Sequence, residues 1–235
     1  MTRRRWIADR VQGNHAFLLG PNAAHLFRVL RVKVGQDFDV AANGVLRTAK
    51  VIAASHDEVE FELGVEVASA ALPQVNIYLS IFKFDRFEWA LEKLTELGVN
   101  RVVPVIAQRT EKHLAKAADK RVERWRKLAR EASQQARRIA SPEIADPVTL
   151  KTALSSEKGS RIVLSEMEES VSLKAALAGL APPVALAFGP EGGWSEQEMA
   201  LFTATGWKAA SLGHTILRAE TAAIASVAVA MAELT

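Results

Sequence analysis

The feature that most constrains this chain is the regular alternation of strand-like and helix-like segments from residue 75 onward. Its apolar runs are typical of strands buried on both faces, and each is followed by a segment with helical spacing. For example, Phe87, Leu91 and Leu94 recur at helical intervals, and Gly98 supplies a stop. This alternation predicts an α/β domain with a largely parallel sheet. The predicted strands are VNIYLSIF, VNRVVPVIA, RIVLSE, VALAFG and KAASLG, and the predicted helices are DRFEWALEKLTELG, a long basic helix over residues 117–139, SLKAALAGL, SEQEMALFTATG and ETAAIASVAVAMAEL.

The first 70 residues have a different rhythm. Short runs with partial alternation, HAFLL, DFDVAA, LRTAKVIAAS and VEFELGVEV, are separated by turn residues, and Asn43-Gly44 is a hairpin signal. Asn22 is the predicted N-cap of one helix, AAHLFRVLR. These signals predict a small β-barrel. Residues 69–74 read as a linker, so the predicted domains are 1–70 and 75–235.

Composition excludes several classes of protein. The chain has no cysteine, which excludes disulfides and thiolate metal sites, and its five histidines are scattered without metal-binding spacing. The N-terminal MTRRRWIADR lacks the apolar run of a signal peptide, and no uncharged apolar run reaches membrane-spanning length. We therefore expect a cytoplasmic protein with no metal and no membrane partner.

Charge is unevenly distributed along the chain. Residues 1–50 carry nine Lys/Arg against three Asp/Glu, and residues 101–140 carry twelve against four, whereas residues 141–235 carry six against eleven. Two basic regions favour a polyanionic partner, although a solvated helix face would explain the second region equally well.

The common nucleotide-binding motifs are absent. The sequence has no P-loop, no GxSxG elbow and no GxGxxG after its first predicted α/β strand. This argues against dinucleotide enzymes and against Rossmann-type methyltransferases.

Two late loops, FGPEGGWS (188–195) and LGHTILRAETA (212–222), each connect a predicted strand to a predicted helix. Gly189 and Gly193 can adopt backbone angles closed to other residues, and Ser195 with Glu198 forms a capping-box pattern. Both loops should therefore lie at the carboxyl edge of the sheet, where open α/β folds bind ligands. The apolar residues beside Arg218 and Glu220 suit a flat ring with a polar reacting group. The structural alternative is a tight turn in the first loop and a salt bridge in the second.

These two loops, with EKLTELGV upstream, resemble the SPOUT superfamily of methyltransferases, and specifically the RsmE-type 16S ribosomal RNA (uracil-N3)-methyltransferases. The resemblance covers nearly the whole chain. HLFRVLRVKVGQDF is similar to that family's PUA-like RNA-binding domain, and KFDRFEWALEKLTELGV, AQRTEKH and EASQQARR are similar to its middle.

The resemblance implies a PUA-like small β-barrel domain followed by a SPOUT α/β domain with a C-terminal trefoil knot. It implies S-adenosylmethionine as cofactor, 16S ribosomal RNA within the small subunit as substrate, and a homodimer with the C-terminal helix in its interface. The implied cofactor-binding residues are Leu164, Gly189, Glu191, Gly193, Leu212, Gly213, Ile216 and Leu217.

The implied reaction is methyl transfer to N3 of a uracil. Arg218 would stabilise the anionic base, and Glu220 would orient Arg218 or accept the N3 proton. The expected phosphate contacts are Arg28, Arg31, Arg109, Arg137 and Arg138.

The sequence departs from the family pattern at Thr215 and Ala219, where the family motif has Arg and Thr. This departure leaves open a non-catalytic RNA-binding or ribosome-assembly factor. A SPOUT methyltransferase that acts on another RNA site also stays open, because motifs in the knot mark the methyl donor more than the acceptor.

Overall fold

The structure is a computed structural model that describes residues 5–156 and 159–235, so residues 1–4 of the predicted N-terminal domain lie outside the described part. Its contacts divide the chain into two units. The N-terminal unit is Met1–Ala71 with Ser133–Ala140, and the C-terminal unit is Leu72–Ala132 with Ser141–Thr235. The predicted linker, residues 69–74, spans the first division, but residues 133–140 group with the N-terminal unit rather than with the second domain.

The N-terminal unit contains one six-stranded sheet, in the order β1-β4-β5-β6-β3-β2. Its strands are β1 (Arg5–Ile7), β2 (Arg10–Gln12), β3 (His15–Leu19), β4 (Asp37–Ala42), β5 (Val45–Ala54) and β6 (Glu58–Glu66). Strands β1 and β2 lie at opposite ends of this order, yet only residues 8 and 9 separate them in sequence. The sheet therefore curls, because so short a connection must bring its two edges close together. Alternate apolar residues fill the inner side, among them Leu18, Val40, Val51 and Phe61.

The prediction that Asn22 caps a helix is wrong. The helix α1 (Gly20–Ala24) begins three residues earlier than predicted and has a proline, Pro21, in its first turn. A proline fits this position because its missing N–H would have no helical partner there. A π-helical turn, His25–Val29, continues the segment.

The C-terminal unit contains a parallel sheet, in the order β10-β8-β7-β12-β11-β13 with β9 also paired to β8. Its strands are β7 (Val75–Ser80), β8 (Arg101–Ile106), β9 (Glu143–Ile144), β10 (Val148–Thr149), β11 (Ser160–Leu164), β12 (Val184–Phe188) and β13 (Lys208–Ala210). All of their pairings are parallel, which confirms the predicted sheet type.

Helices cover both faces of this sheet. They are α2 (Phe84–Leu97), α3 (Lys112–Ala117), α4 (Val122–Gln135), α5 (Leu150–Ser156), α6 (Leu173–Leu177), α7 (Glu196–Ala204) and α8 (Ala219–Leu234). Side chains of β12 alternate between two cores: Leu186 packs among residues of α2, α6 and α8, whereas Ala185 packs among residues of α5 and α7. Burial on both faces explains the continuous apolar runs in these strands.

Two helix termini lie where the sequence predicts them, and the bounds of one predicted helix are wrong. Helix α2 ends at Gly98, whose φ of 103° is left-handed, and Ser195 and Glu198 form the predicted capping box of α7. The predicted basic helix over residues 117–139 is wrong in its bounds, since a 3₁₀ turn at Ala118–Arg121 precedes α4. Arg137 and Arg138 consequently lie beyond the end of α4.

Candidate functional site

A cavity of about 510 Å³ lies at the carboxyl ends of β11, β12 and β13 in the C-terminal unit. Three chain segments form its walls: residues 164–169, residues 188–194 and residues 210–219, with Gly192 the one member of these segments that does not line it. Parallel strands end at the same edge of a sheet, which is why loops distant in sequence meet here. The volume is within the range of sites that enclose a small organic ligand.

The glycine-rich loop after β12 is held by Trp194. Its indole Nε1 donates a hydrogen bond to the carbonyl oxygen of Leu164 at 3.2 Å, which joins two walls of the cavity. A Cβ at Gly189 would lie 3.4 Å from the indole ring, so this glycine allows the ring to approach closely. Gly193 has a φ of 69°, a conformation that favours glycine. Of the two glycines expected to need unusual angles, only Gly193 has a left-handed φ.

A buried carboxylate fixes the far end of this loop. Glu198 accepts a hydrogen bond from the amide of Ser195 at 2.9 Å and another from the amide of Gln108 at 2.7 Å. Arg109 follows Gln108, and its Nη1 donates to the carbonyl oxygen of Gly192 at 2.5 Å. The loop after β8 therefore supports the glycine-rich loop from outside the cavity.

Within the third wall, residues 212–217 offer free backbone amides. Ser211 is tied to the segment that follows the first wall, since its amide donates to Val171 O at 2.9 Å and its carbonyl accepts from Leu173 N at 2.8 Å. Beyond it, the amides of residues 212–217 donate no hydrogen bond to any residue in 5–156 or 159–235. These amides are available to a bound molecule. Ile216, 83% exposed, adds an uncovered apolar side chain at the same wall.

Arg218 and Glu220 lie at the start of α8 and have different surroundings. Arg218 lines the cavity, is exposed, and forms no ion pair with any described residue. Glu220 is only 5% exposed, and its Oε1 lies 3.8 Å from Nε of Arg86. The structure therefore pairs Glu220 with Arg86, and not with Arg218 as the sequence predicts for an orienting role.

Arg86 is the site residue that the sequence did not single out. It lies in the first turn of α2, lines the cavity, and donates from Nη1 to Glu191 Oε1 at 2.9 Å. The sequence could have indicated Arg86 by its position just past the carboxyl end of β7. That end lies beside β12, at the edge of the sheet that carries the cavity.

All eight residues predicted to bind the cofactor line this cavity: Leu164, Gly189, Glu191, Gly193, Leu212, Gly213, Ile216 and Leu217. The residues predicted to bind RNA are divided between the units. Arg109 lies beside the glycine-rich loop, whereas Arg28 and Arg31 are exposed in the N-terminal unit.

The remaining two predicted RNA contacts group with the N-terminal unit. Arg137 is exposed, and its carbonyl oxygen accepts a hydrogen bond from Nη1 of Arg5. Arg138 is half-buried, and burial lowers its pKa to about 10, so it is still charged at neutral pH.

The described part of the chain has neither a metal-binding cluster nor a membrane-spanning helix. Within the described ranges, no cluster of three His, Cys, Asp or Glu side chains could hold a metal ion. Nor does any helix in this part of the chain have the length and apolar character needed to cross a membrane.

Two known families match the sequence. The RNA methyltransferase domain matches residues 70–231, and the RNA methyltransferase PUA domain matches residues 18–64. The ribosomal RNA small subunit methyltransferase E of Synechocystis sp. is 32% identical over 212 residues, which are 87% of this chain and 68% of that protein. The Aquifex aeolicus protein of the same name is 30% identical over 226 residues, 95% of this chain and 97% of that one.

Solved structures match at the level of the fold and the sequence. A ribosomal RNA small subunit methyltransferase E from Neisseria gonorrhoeae, bound to S-adenosyl methionine, has a TM-score of 0.82 and 26% identity, covering 97% of this chain and 96% of that one. A methyltransferase from Legionella pneumophila, in complex with the same cofactor, has a TM-score of 0.82 and 27% identity, covering 99% and 98%.

Proposed function

The chain belongs to the RNA methyltransferase family that includes ribosomal RNA small subunit methyltransferase E, and on this premise we propose that it methylates N3 of one uridine in 16S ribosomal RNA with S-adenosylmethionine as methyl donor. The observation that carries this proposal is the convergence of three loops on one cavity at the carboxyl edge of the parallel sheet. The relatives from Neisseria and Legionella were solved with this cofactor, which supports the choice of donor.

The residues of the cavity fit this cofactor. The free amides of residues 212–217 suit its adenine and polar groups, and Phe188, Leu212 and Leu217 provide apolar walls for a flat ring. Gly189 leaves room for the indole of Trp194, and Gly193 adopts a left-handed φ, so both glycines shape the wall that would face the cofactor. When bound, S-adenosylmethionine supplies an electrophilic methyl group on a sulfonium. The chain has only to position the acceptor and manage its proton.

Arg218 is the group that we assign to charge stabilisation. A uracil that loses its N3 proton becomes an anion, and a guanidinium beside O2 or O4 stabilises that charge. The exposure of Arg218 at the cavity, without a partner among the described residues, leaves its guanidinium free for a substrate.

Glu220 is the proposed acceptor of the N3 proton. Its Oε2 is buried and has no hydrogen-bond partner among the described residues, while its Oε1 faces Arg86. This oxygen can accept a proton without first breaking another interaction. Because Glu220 does not itself line the cavity, the transfer would require a bridging water or a small shift of the first turn of α8.

Residues 1–70 are the proposed RNA-binding domain, which lies within the N-terminal unit, and residues 75–235 are the proposed methyltransferase domain, of which residues 133–140 group with the N-terminal unit. The match of residues 18–64 to a PUA domain supports this division. Arg28 and Arg31, with Arg137 and Arg138, would contact phosphates, and Arg109 would contact RNA near the glycine-rich loop. The target base has to leave its stack to reach the cavity.

We also propose that the C-terminal segment forms a trefoil knot. Two observations support it: Ser211 is bonded to Val171 and Leu173, and the chain then returns from the sheet edge at β13 to pack α8 against α2. An experimental density map in which residues 208–235 do not pass through a loop of the chain would contradict the knot.

The active form is proposed to be a homodimer with α8 in its interface, acting in the cytoplasm on 16S ribosomal RNA within the small ribosomal subunit. Helix α8 is rich in alanine, and small side chains permit close helix packing. Sedimentation of the purified protein tests the dimer, and a monomer at micromolar concentration would contradict it.

The experiment that tests the function is a pair of measurements on the purified protein. Calorimetric titration with S-adenosylmethionine should show one site per chain, and radiolabelled cofactor should transfer its methyl group to small-subunit ribosomal RNA. Absence of cofactor binding would contradict the enzyme and favour a non-catalytic RNA-binding factor. Binding with transfer to another RNA alone would contradict the proposed substrate.

A further inference from the structure

The guanidinium of Arg86 connects the glycine-rich wall of the cavity to the first turn of α8. We propose that Arg86 is a positioning residue for methyl transfer, which fixes the glycine-rich loop and the first turn of α8 relative to each other through Glu191 and Glu220. This inference rests on the proposed function, because it names a further residue of the same site.

The geometry places Arg86 between three separate chain segments. The side chain starts from α2, Nη1 donates to Glu191 Oε1 at 2.9 Å, and Nε lies 3.8 Å from Glu220 Oε1. Glu191 belongs to the loop after β12, and Glu220 to the first turn of α8. One side chain therefore holds Glu191, a residue of a cavity wall, and Glu220, a buried residue directly after the third wall.

Arginine suits this arrangement better than lysine. Its planar guanidinium presents several N–H donors in a fixed fork, so it can hold two carboxylates at defined directions, whereas an ammonium is a compact point charge. The Arg86 side chain is 33% exposed and that of Glu220 is 7% exposed, so the contact to Glu220 is the more shielded of the two. A shielded ion pair restrains its partners more strongly than one that water screens.

The burial of Glu220 makes Arg86 necessary. A carboxylate buried without a countercharge is unfavourable, and among the described residues Arg86 is the only cation within ion-pair distance of it. Glu220 lies two residues after Arg218. Holding Glu220 in place consequently holds the backbone from which Arg218 extends towards the substrate.

Loss of the Arg86 side chain should lower the rate of methyl transfer more than it weakens cofactor binding. The free amides of residues 212–217 remain when Arg86 is changed, so the cofactor keeps most of its contacts. The alignment of Glu220 and Arg218 with the acceptor base is lost, and a small misplacement in a reacting site costs about a hundredfold in rate.

The test is Arg86→Gln in the full-length protein, with kcat, KM and the calorimetric Kd for S-adenosylmethionine measured in parallel. We expect kcat to fall about a hundredfold, the cofactor Kd to change much less, and Arg86→Lys to recover part of kcat. The matched control is Arg101→Gln. Arg101 is 34% exposed and pairs with Glu143 at 3.2 Å, so it tests the general effect of removing such a pair.

A double-mutant cycle separates positioning from a merely structural role. If Arg86 acts through Glu220, Arg86→Gln and Glu220→Gln have effects on kcat that are strongly non-additive. Additive effects, or a kcat for Arg86→Gln equal to that of Arg101→Gln, would overturn the proposal. Should Arg86→Gln fail to fold, Glu191→Gln takes its place, and an unchanged kcat in that variant overturns the proposal equally.

The outcome remains distinguishable from failure of the proposed function. A wild-type protein that neither binds the cofactor nor transfers methyl contradicts the function itself. A wild-type protein that does both, with Arg86→Gln equally active, overturns only the role of Arg86.

Discussion

Replacing Gly193 by alanine tests whether the glycine-rich loop is held in one conformation for the cofactor. Gly193 has a φ of 69°, and an added Cβ would lie 3.1 Å from Oε1 of Glu166. A left-handed conformation costs a residue with a Cβ about 1–2 kcal/mol. The exposed Glu166 side chain can move away, so the cost of the left-handed backbone conformation exceeds the cost of this close contact. Since 1.4 kcal/mol is a factor of ten in an equilibrium constant, the Kd for S-adenosylmethionine should rise about 5- to 30-fold.

Gly192→Ala is the matched control for this prediction. Gly192 has no left-handed φ, and its added Cβ would meet only the Arg109 side chain, at 3.4 Å. Its Kd should therefore stay within about threefold of the wild-type value. Calorimetric titration measures both constants. Equal losses in the two variants, or none in Gly193→Ala, would refute the role assigned to the backbone conformation.

Three further predictions concern Arg218, the exposed arginines of the N-terminal unit, and the capping box of α7. Arg218→Ala should lose methyl transfer by orders of magnitude and still bind S-adenosylmethionine; steady-state assays with calorimetry check this, and unchanged turnover would remove Arg218 from the mechanism. The double variant Arg28→Glu with Arg31→Glu should bind RNA more weakly, and the slope of its log binding constant against log salt concentration should fall by about one per lost phosphate contact. Filter binding at several salt concentrations measures this slope. An unaltered slope would count against these two contacts. Glu198→Ala removes the acceptor for two amides, including that of Gln108, and should lower the free energy of unfolding of the C-terminal unit by about 1–3 kcal/mol. Denaturant unfolding measures this change. A decrease below about 0.5 kcal/mol would contradict the role of the capping box.

Local signals explain the parts of the fold that the sequence predicts well. The helix stop at Gly98 and the capping box at Ser195 each depend on neighbouring residues alone, and both predictions are confirmed. The parallel sheet is predicted because apolar runs without alternation require helices on both faces.

Tertiary contacts decide the parts that the sequence predicts poorly. Strands β1, β2, β9 and β10 have two or three residues each, too few for a periodic pattern to be recognised. Two local signals disagree about the start of α1. Asn22 favours a helix that begins after it, whereas Pro21 favours a helix that has Pro21 in its first turn, and the structure has the second.

The same distinction holds for the candidate site. The two late loops could be placed together because the ends of parallel strands share one edge of the sheet. The ion pair between Arg86 and Glu220 could not, since it depends on how α2 and α8 approach each other. Nothing in either local sequence specifies that approach. The sequence suggests instead a salt bridge between Arg218 and Glu220, because only one residue separates them in the chain.

The most direct measurement of the central claim is mass-spectrometric mapping of modified uridines in small-subunit ribosomal RNA. RNA from cells that lack the gene is compared with RNA from the same cells carrying the wild-type gene or the Arg218→Ala variant. The account predicts that one N3-methyluridine is absent without the gene, returns with the wild-type gene, and stays absent with the variant. An unchanged set of N3-methyluridines in cells without the gene would contradict it.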